Sequence, residues 1–121
     1  MQRKPYIAKA TYDFATEGGA VLVHTPAINE VIPQGAIILR TWTDVVTAMT
    51  SGGAATVALD INCTTPVVIK AATAYNDAVY TDVDVHSTTA TKTDSEGRIT
   101  FTVATAALTA GKVHIFVEYI L

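Results

Sequence analysis

Apolar and polar positions alternate along much of the chain with a period of two, the signature of half-buried strands rather than of amphipathic helices. In the run RITFTVAT, Ile99, Phe101 and Val103 are expected inward, with Arg98, Thr100 and Thr102 outward. The last run repeats the pattern, with Val113, Ile115, Val117 and Tyr119 inward and His114 and Glu118 outward. Phe116 falls on the outward side, where a large aromatic calls for a second packed layer or another chain. Val57, Leu59 and Ile61 share one face of a further strand. The run 36–46 is less regular: Ile37 and Leu39 favour one face, and Ile38, Trp42 and Val46 the other.

Gly and Pro punctuate the chain into short runs. They leave strand candidates at 6–14, 20–25, 36–46, 55–62, 67–71, 83–89, 98–105 and 112–120. The segment TSGGA is read as a hairpin turn, and so is LTAG at 108–111. The final strand would be a hazard as a free edge, so it is expected to be paired or covered. One Ala-rich piece, 71–79, with Tyr75 and Val79 four apart, is the sole helical candidate. Many short strands separated by turns predict an all-β fold, an antiparallel β-sandwich or jelly-roll-like barrel with at most one short helix.

Composition supports this reading. The chain has 121 residues, half of them hydrophobic, and it is rich in the β-branched residues that suit a pleated surface. One domain, 1–121, is expected, with a short N-terminal arm at about 1–5. Lys and Arg number 8 against 11 Asp and Glu, a formal net charge of −3. That balance provides no field for phosphate backbones, so nucleic acid is not an expected partner. No run approaches the roughly 20 apolar residues that cross a bilayer, and MQRKPYIAKATYDF has no apolar segment of a signal peptide. Cys63 alone can form no intramolecular disulfide or zinc pair and is read as a buried structural thiol.

Candidate chemistry is sparse. His24, His86 and His114 lie on three separate strand candidates with no catalytic motif around them. Neither Gly-Gly pair continues as a phosphate loop. TDSEG lacks the spaced ligands of a calcium loop and reads as a turn. TDVDVHS is sharper, because a period of two sets Asp82, Asp84 and His86 on one face, a weak candidate for a divalent metal. The preferred reading is a solvated face opposite a buried Val83 and Val85, with no metal, no cofactor and no catalytic residues. Trp42 and Tyr6, Tyr12, Tyr75, Tyr80 and Tyr119 are expected in the core or an interface, with a carbohydrate groove as the alternative.

Two stretches, VIPQGAIILRTWTDVVTAMTSGGAATVALDI and RITFTVATAALTAGKVHIFVEYIL, together resemble small virion structural proteins of tailed bacteriophages. The shared order is a Pro-x-Gly-Ala turn, a strand with Asp-Val, Thr-Ser-Gly-Gly into Ala-Thr-Val-Ala-Leu, and Leu-Thr-Ala-Gly-Lys into Phe-Val-Glu-Tyr. The resemblance spans 31–121 and is weakest over 63–98. It implies a module of the capsid decoration, cement or head-fibre type, located on the capsid surface of a virion assembled in the host cytoplasm.

The expected function is therefore non-enzymatic: a symmetric oligomer, a homotrimer, that binds the major capsid protein and decorates or stabilises the shell. Arg3, Lys4, Tyr6, Trp42 and Phe116 are the candidate interface residues. Arg3 and Lys4 belong to the arm, whose basic composition suits an acidic capsid surface; the plainer reading of the arm is a frayed terminus. The alternatives are a carbohydrate-binding fibre or spike module, another tail or neck component, or a metal-dependent enzyme built on Asp82, Asp84 and His86.

Overall fold

The computed structural model describes residues 4–87 and 90–121. Its strands are β1 (Tyr6–Asp13), β2 (Val23–His24), β3 (Ile28–Asn29), β4 (Ile37–Ser51), β5 (Thr56–Ile61), β6 (Val67–Ala74), β7 (Val83–Ser87), β8 (Thr91–Lys92), β9 (Ile99–Ala104) and β10 (Leu108–Ile120). A single helical turn, α1 (Phe14–Glu17), follows β1, and a 3-10 turn spans Ala78–Tyr80. Asp13 caps α1 by accepting from the Ala15 amide, satisfying one of the donors that a helix start leaves free.

Two antiparallel sheets face each other. The larger runs β3-β1-β10-β4-β7, with β8 beside the start of β4, and the smaller runs β2-β9-β5-β6. The pairs β1 with β10, β2 with β9, β4 with β7 and β5 with β6 nest one inside the next along the chain. That nesting is the double Greek key of a jelly roll, as the strand pattern led us to expect.

The inward faces of the two sheets form one core. Ile99, Phe101, Val103, Val113, Ile115, Val117, Val57, Leu59 and Ile61 are all buried, as their alternation predicts. Tyr12 of β1 stacks on Phe101 of β9 across the layers at 4.0 Å between ring centres. Its hydroxyl donates to the Gly18 carbonyl at 2.6 Å, which meets the need of a buried phenol for a partner. Burial, with Glu17 and Asp13 nearby, pushes that hydroxyl's pKa up to about 12. Cys63 is buried as expected, and burial with Asp94 nearby pushes its thiol up, the direction of an inert thiol.

Several local expectations are corrected. TSGGA is no hairpin: it joins β4 of the larger sheet to β5 of the smaller. Gly52 and Gly53 are not among the glycines with positive φ, which are Gly18, Gly35 and Gly111. LTAG is likewise no turn, since 108–111 opens β10; the chain crosses from β9 at 105–107, where Thr105 takes a φ of 73°. Gly111 marks a bulge against β4, and a Cβ there would lie 2.7 Å from Met49 Cγ. The Ala-rich candidate helix is also displaced. Residues 71–74 continue β6 because β5 offers them a strand partner, and only Ala78–Tyr80 turns helically. The four-residue α1 has no counterpart in the hydrophobic pattern, being too short to show a period.

The final strand is not at an edge. β10 is paired along both sides, by β1 and by β4. The true edges are blunted in ways that discourage further strands. β2, β3 and β8 have two residues each. β6 carries two register shifts against β5, and β7 carries one against β4.

Candidate functional site

On the outer face of the larger sheet the register sets Lys9, Phe116, Trp42 and Val85 in one row across β1, β10, β4 and β7. The neighbouring rows hold Thr11, His114, Asp44 and Val83 on one side and Ile7, Glu118 and Arg40 on the other.

Trp42 and Phe116 stack at 5.3 Å with their planes 12° apart. Lys9 Nζ lies 5.8 Å from the Phe116 ring centre, and the Arg40 guanidinium 5.2 Å from that of Trp42. Arg40 Nε also bonds Glu118 Oε1 at 3.2 Å. The result is a ridge of large side chains already held by one another, so little rotamer freedom remains to be lost on docking. The ring faces are occupied by each other and by cations. A sugar stacking on Trp42 would have to compete with Phe116 and Arg40.

His114 sits beside the ridge, its ring 6.3 Å from that of Phe116. Its Nδ1 shares a 2.8 Å hydrogen bond with the Thr11 hydroxyl. Desolvation, then the charge of Lys9, lowers its pKa, with Asp44 opposing and Lys112 adding to the shift.

β7 reverses its expected orientation. Val83 and Val85 are the exposed pair, at 62% and 52%, and they extend the apolar part of the outer face. His86 turns inward, where its Nε2 and the Thr43 hydroxyl are 2.6 Å apart. Asp84 stands opposite the buried Thr43 in the β4 pairing. Asp82 precedes the strand, and its carbonyl accepts from the Val45 amide. Among the described residues no three His, Cys, Asp or Glu side chains gather as a metal's ligands would.

The candidate interface residues are divided by the fold. Trp42 and Phe116 come together on the outer face. Tyr6 instead pairs with Tyr119, their rings stacked at 5.5 Å, in register with the inward Ala8 and Val117 at the sandwich rim. Lys4 is exposed ahead of β1, and Arg3 lies outside the described residues. Glu118 was expected outward, but Lys9, Arg40, Val83 and Val85 were missed as face residues, because only the strand register brings them beside Trp42 and Phe116.

The remaining motifs have structural uses. His24 Nε2 bonds the Ala20 carbonyl at 2.8 Å. TDSEG clamps the loop before β6: Asp94 accepts from the Thr65 amide at 3.0 and 3.2 Å, and Ser95 Oγ from the Thr64 amide at 2.7 Å. The bonds from Thr65 hold the Asp94 carboxyl below its ordinary value. Among the described residues no helix is long and apolar enough to cross a membrane.

No protein-family profile and no curated protein matches this chain. Solved structures do. A chain in the acidic stable capsid structure of Helicobacter pylori bacteriophage KHP30 is 18% identical, with a TM-score of 0.68, over 99% of this chain and 92% of that one. A chain in the cyanophage Pam1 capsid asymmetric unit is also 18% identical, with a TM-score of 0.67, over 98% of this chain and 86% of that one. At that identity the likeness establishes a shared fold along nearly the whole chain.

Proposed function

We propose that this chain is a non-enzymatic structural protein of a bacteriophage virion, one that decorates or cements the capsid as a symmetric homotrimer bound to the major capsid protein. The observation that carries the reading is the end-to-end likeness to chains found in two phage capsids. The outer face of the larger sheet, centred on Trp42 and Phe116, is the surface through which it associates. A pre-packed aromatic and charged ridge with apolar neighbours has the composition of a binding hot spot. Contacts repeated by symmetry supply avidity that one small face lacks. Lys4 and Arg3, ahead of β1, and Tyr6 at the rim would contribute flanking contacts.

The test joins two measurements. Native mass spectrometry of the purified protein, with and without chelator, is expected to show a trimer indifferent to chelator. Protein identification in purified virions of the encoding phage is expected to find the chain at a copy number matched to the shell. A monomer absent from virions overturns the proposal. A monomer carrying a stoichiometric divalent ion overturns it as well.

A further inference from the structure

His86 occupies an unusual place for an ionisable group. It projects between the sheets from an edge strand that is held on one side only, through four pairings with β4. The single register shift in that ladder falls between Thr41 and Trp42 and leaves His86 as the unpaired residue. Its Nε2 is engaged by the fully buried Thr43. Among the described residues its buried Nδ1 has no partner, and neither has the Thr41 hydroxyl of β4. The Tyr80 ring lies 5.9 Å away, on the turn that packs beside β7.

The charged groups bearing on the imidazole are Asp84 on its own strand and Lys70 on β6, and these oppose each other. Tyr80 adds a phenol that burial keeps neutral, with Asp77 behind it. Desolvation outweighs the pull of Asp84, so the ring's pKa is lowered.

We infer that β7 is an acid-releasable strand: protonation of His86 unseats Val83–Ser87 from β4. A neutral ring can leave Nδ1 bare at modest cost, whereas an imidazolium needs acceptors for two N–H groups and hydration for its charge. Freeing one short, bulged edge strand supplies both with little loss of core, since Val83 and Val85 already face solvent. Release would uncover the β4 edge at Thr41–Asp44 and strip the two valines from the outer face. The inference stands whether or not the chain belongs to a virion.

The sign follows from linkage. A histidine whose folded pKa lies below its unfolded value lets the unsettled state bind the proton first. Stability of the β7 docking is therefore lost as pH falls below the ordinary histidine value and levels off beneath the folded one.

The test is amide hydrogen exchange of the full chain at about pH 7 and about pH 5, corrected for intrinsic rates. Protection of β7 and of the facing β4 amides is expected to fall severalfold, while the β1–β10 ladder is unchanged. His86→Gln, which keeps an amide toward Thr43 and cannot titrate, should flatten the response; His114→Gln should retain it. Unchanged protection in the unaltered protein, or an equal loss in His86→Gln, overturns the inference. Imidazole NMR shifts of the unaltered protein give an independent reading, since His86 titrating while β7 stays protected overturns it too.

Discussion

The two sheets share one core and turn very different faces outward. The larger presents Lys9, Arg40, Trp42, His114, Phe116 and Glu118, long side chains that pack on one another in a ridge. The smaller presents Thr56, Ala58, Asp60, Thr102 and Ala104 in register across β5 and β9, flanked by the exposed Val23 of β2 and Val68 of β6. Inward, β1, β5, β9 and β10 set aliphatic and aromatic residues at every second position, while β4 buries Thr41 and Thr43 and β2 buries His24. Folding therefore constrains the inner faces and leaves the outer faces free to diverge. Among the described residues, stacked aromatic rings with cations over them occur on the outer face of the larger sheet alone, which supports the proposed association through that side.

The comparison breaks most completely where both faces rest on the same layer. Phe101→Ala removes the ring that stacks on Tyr12 at 4.0 Å in the centre of the sandwich. The expected loss is about 3–5 kcal/mol of folding stability, as for other buried aromatics, read from chemical denaturation. Both faces should fail together. A loss below about 1 kcal/mol would mean that the sheets do not depend on a common core.

A smaller effect separates the faces. Trp42→Ala, Phe116→Ala and the double variant form a cycle whose coupling is expected near 1 kcal/mol, the range for an aromatic pair. Thr102→Ala on the opposite face should stay within about 0.5 kcal/mol. Coupling near zero would show that the ridge is not pre-packed in solution, and its claim to be a low-cost docking surface would fall with it.

How much of this was legible depends on distance along the chain. The inward set of β5, β9 and β10 could be read directly, because a period of two is local and these strands alternate cleanly from Val57 to Ile61 and from Val113 to Val117. Phe116 was visible as an outward anomaly for the same reason. Its partner was not. Ile38 and Trp42 share a parity, yet one is buried and the other faces out, because a register shift between Glu118 and Tyr119 leaves an extra residue in β4 between them.

β7 misled differently. Hydrophobicity alone turns Val83 and Val85 inward, but the register places them beside the Trp42 ridge and gives His86 a hydroxyl to bond inside. Turn chemistry was equally incomplete. The glycines after Ser51 announce a change of direction and say nothing about which sheet the next strand joins. Sheet membership is settled by pairings some forty or more residues apart, such as Ala58 with Thr102 and Thr43 with Ile115.

The smallest expected effect tests how the ridge is held. Arg40 touches both Glu118, through an ion pair at 3.2 Å, and the Trp42 ring at 5.2 Å. Glu118→Gln removes the ion pair and leaves the ring contact, whereas Arg40→Gln removes both. Their double-mutant coupling should be about 0.2–1 kcal/mol, since one partner is more than half exposed, and it should shrink as salt is added. The ring contact, read as the further loss in Arg40→Gln over Glu118→Gln, should be about 0.5–1 kcal/mol and depend less on salt. If all of the loss vanishes in high salt, the guanidinium is a solvated surface charge and the aromatic pair alone distinguishes the two faces. If a salt-resistant part survives, Arg40 belongs to the packed ridge, held against the Trp42 ring as well as by the Glu118 carboxylate.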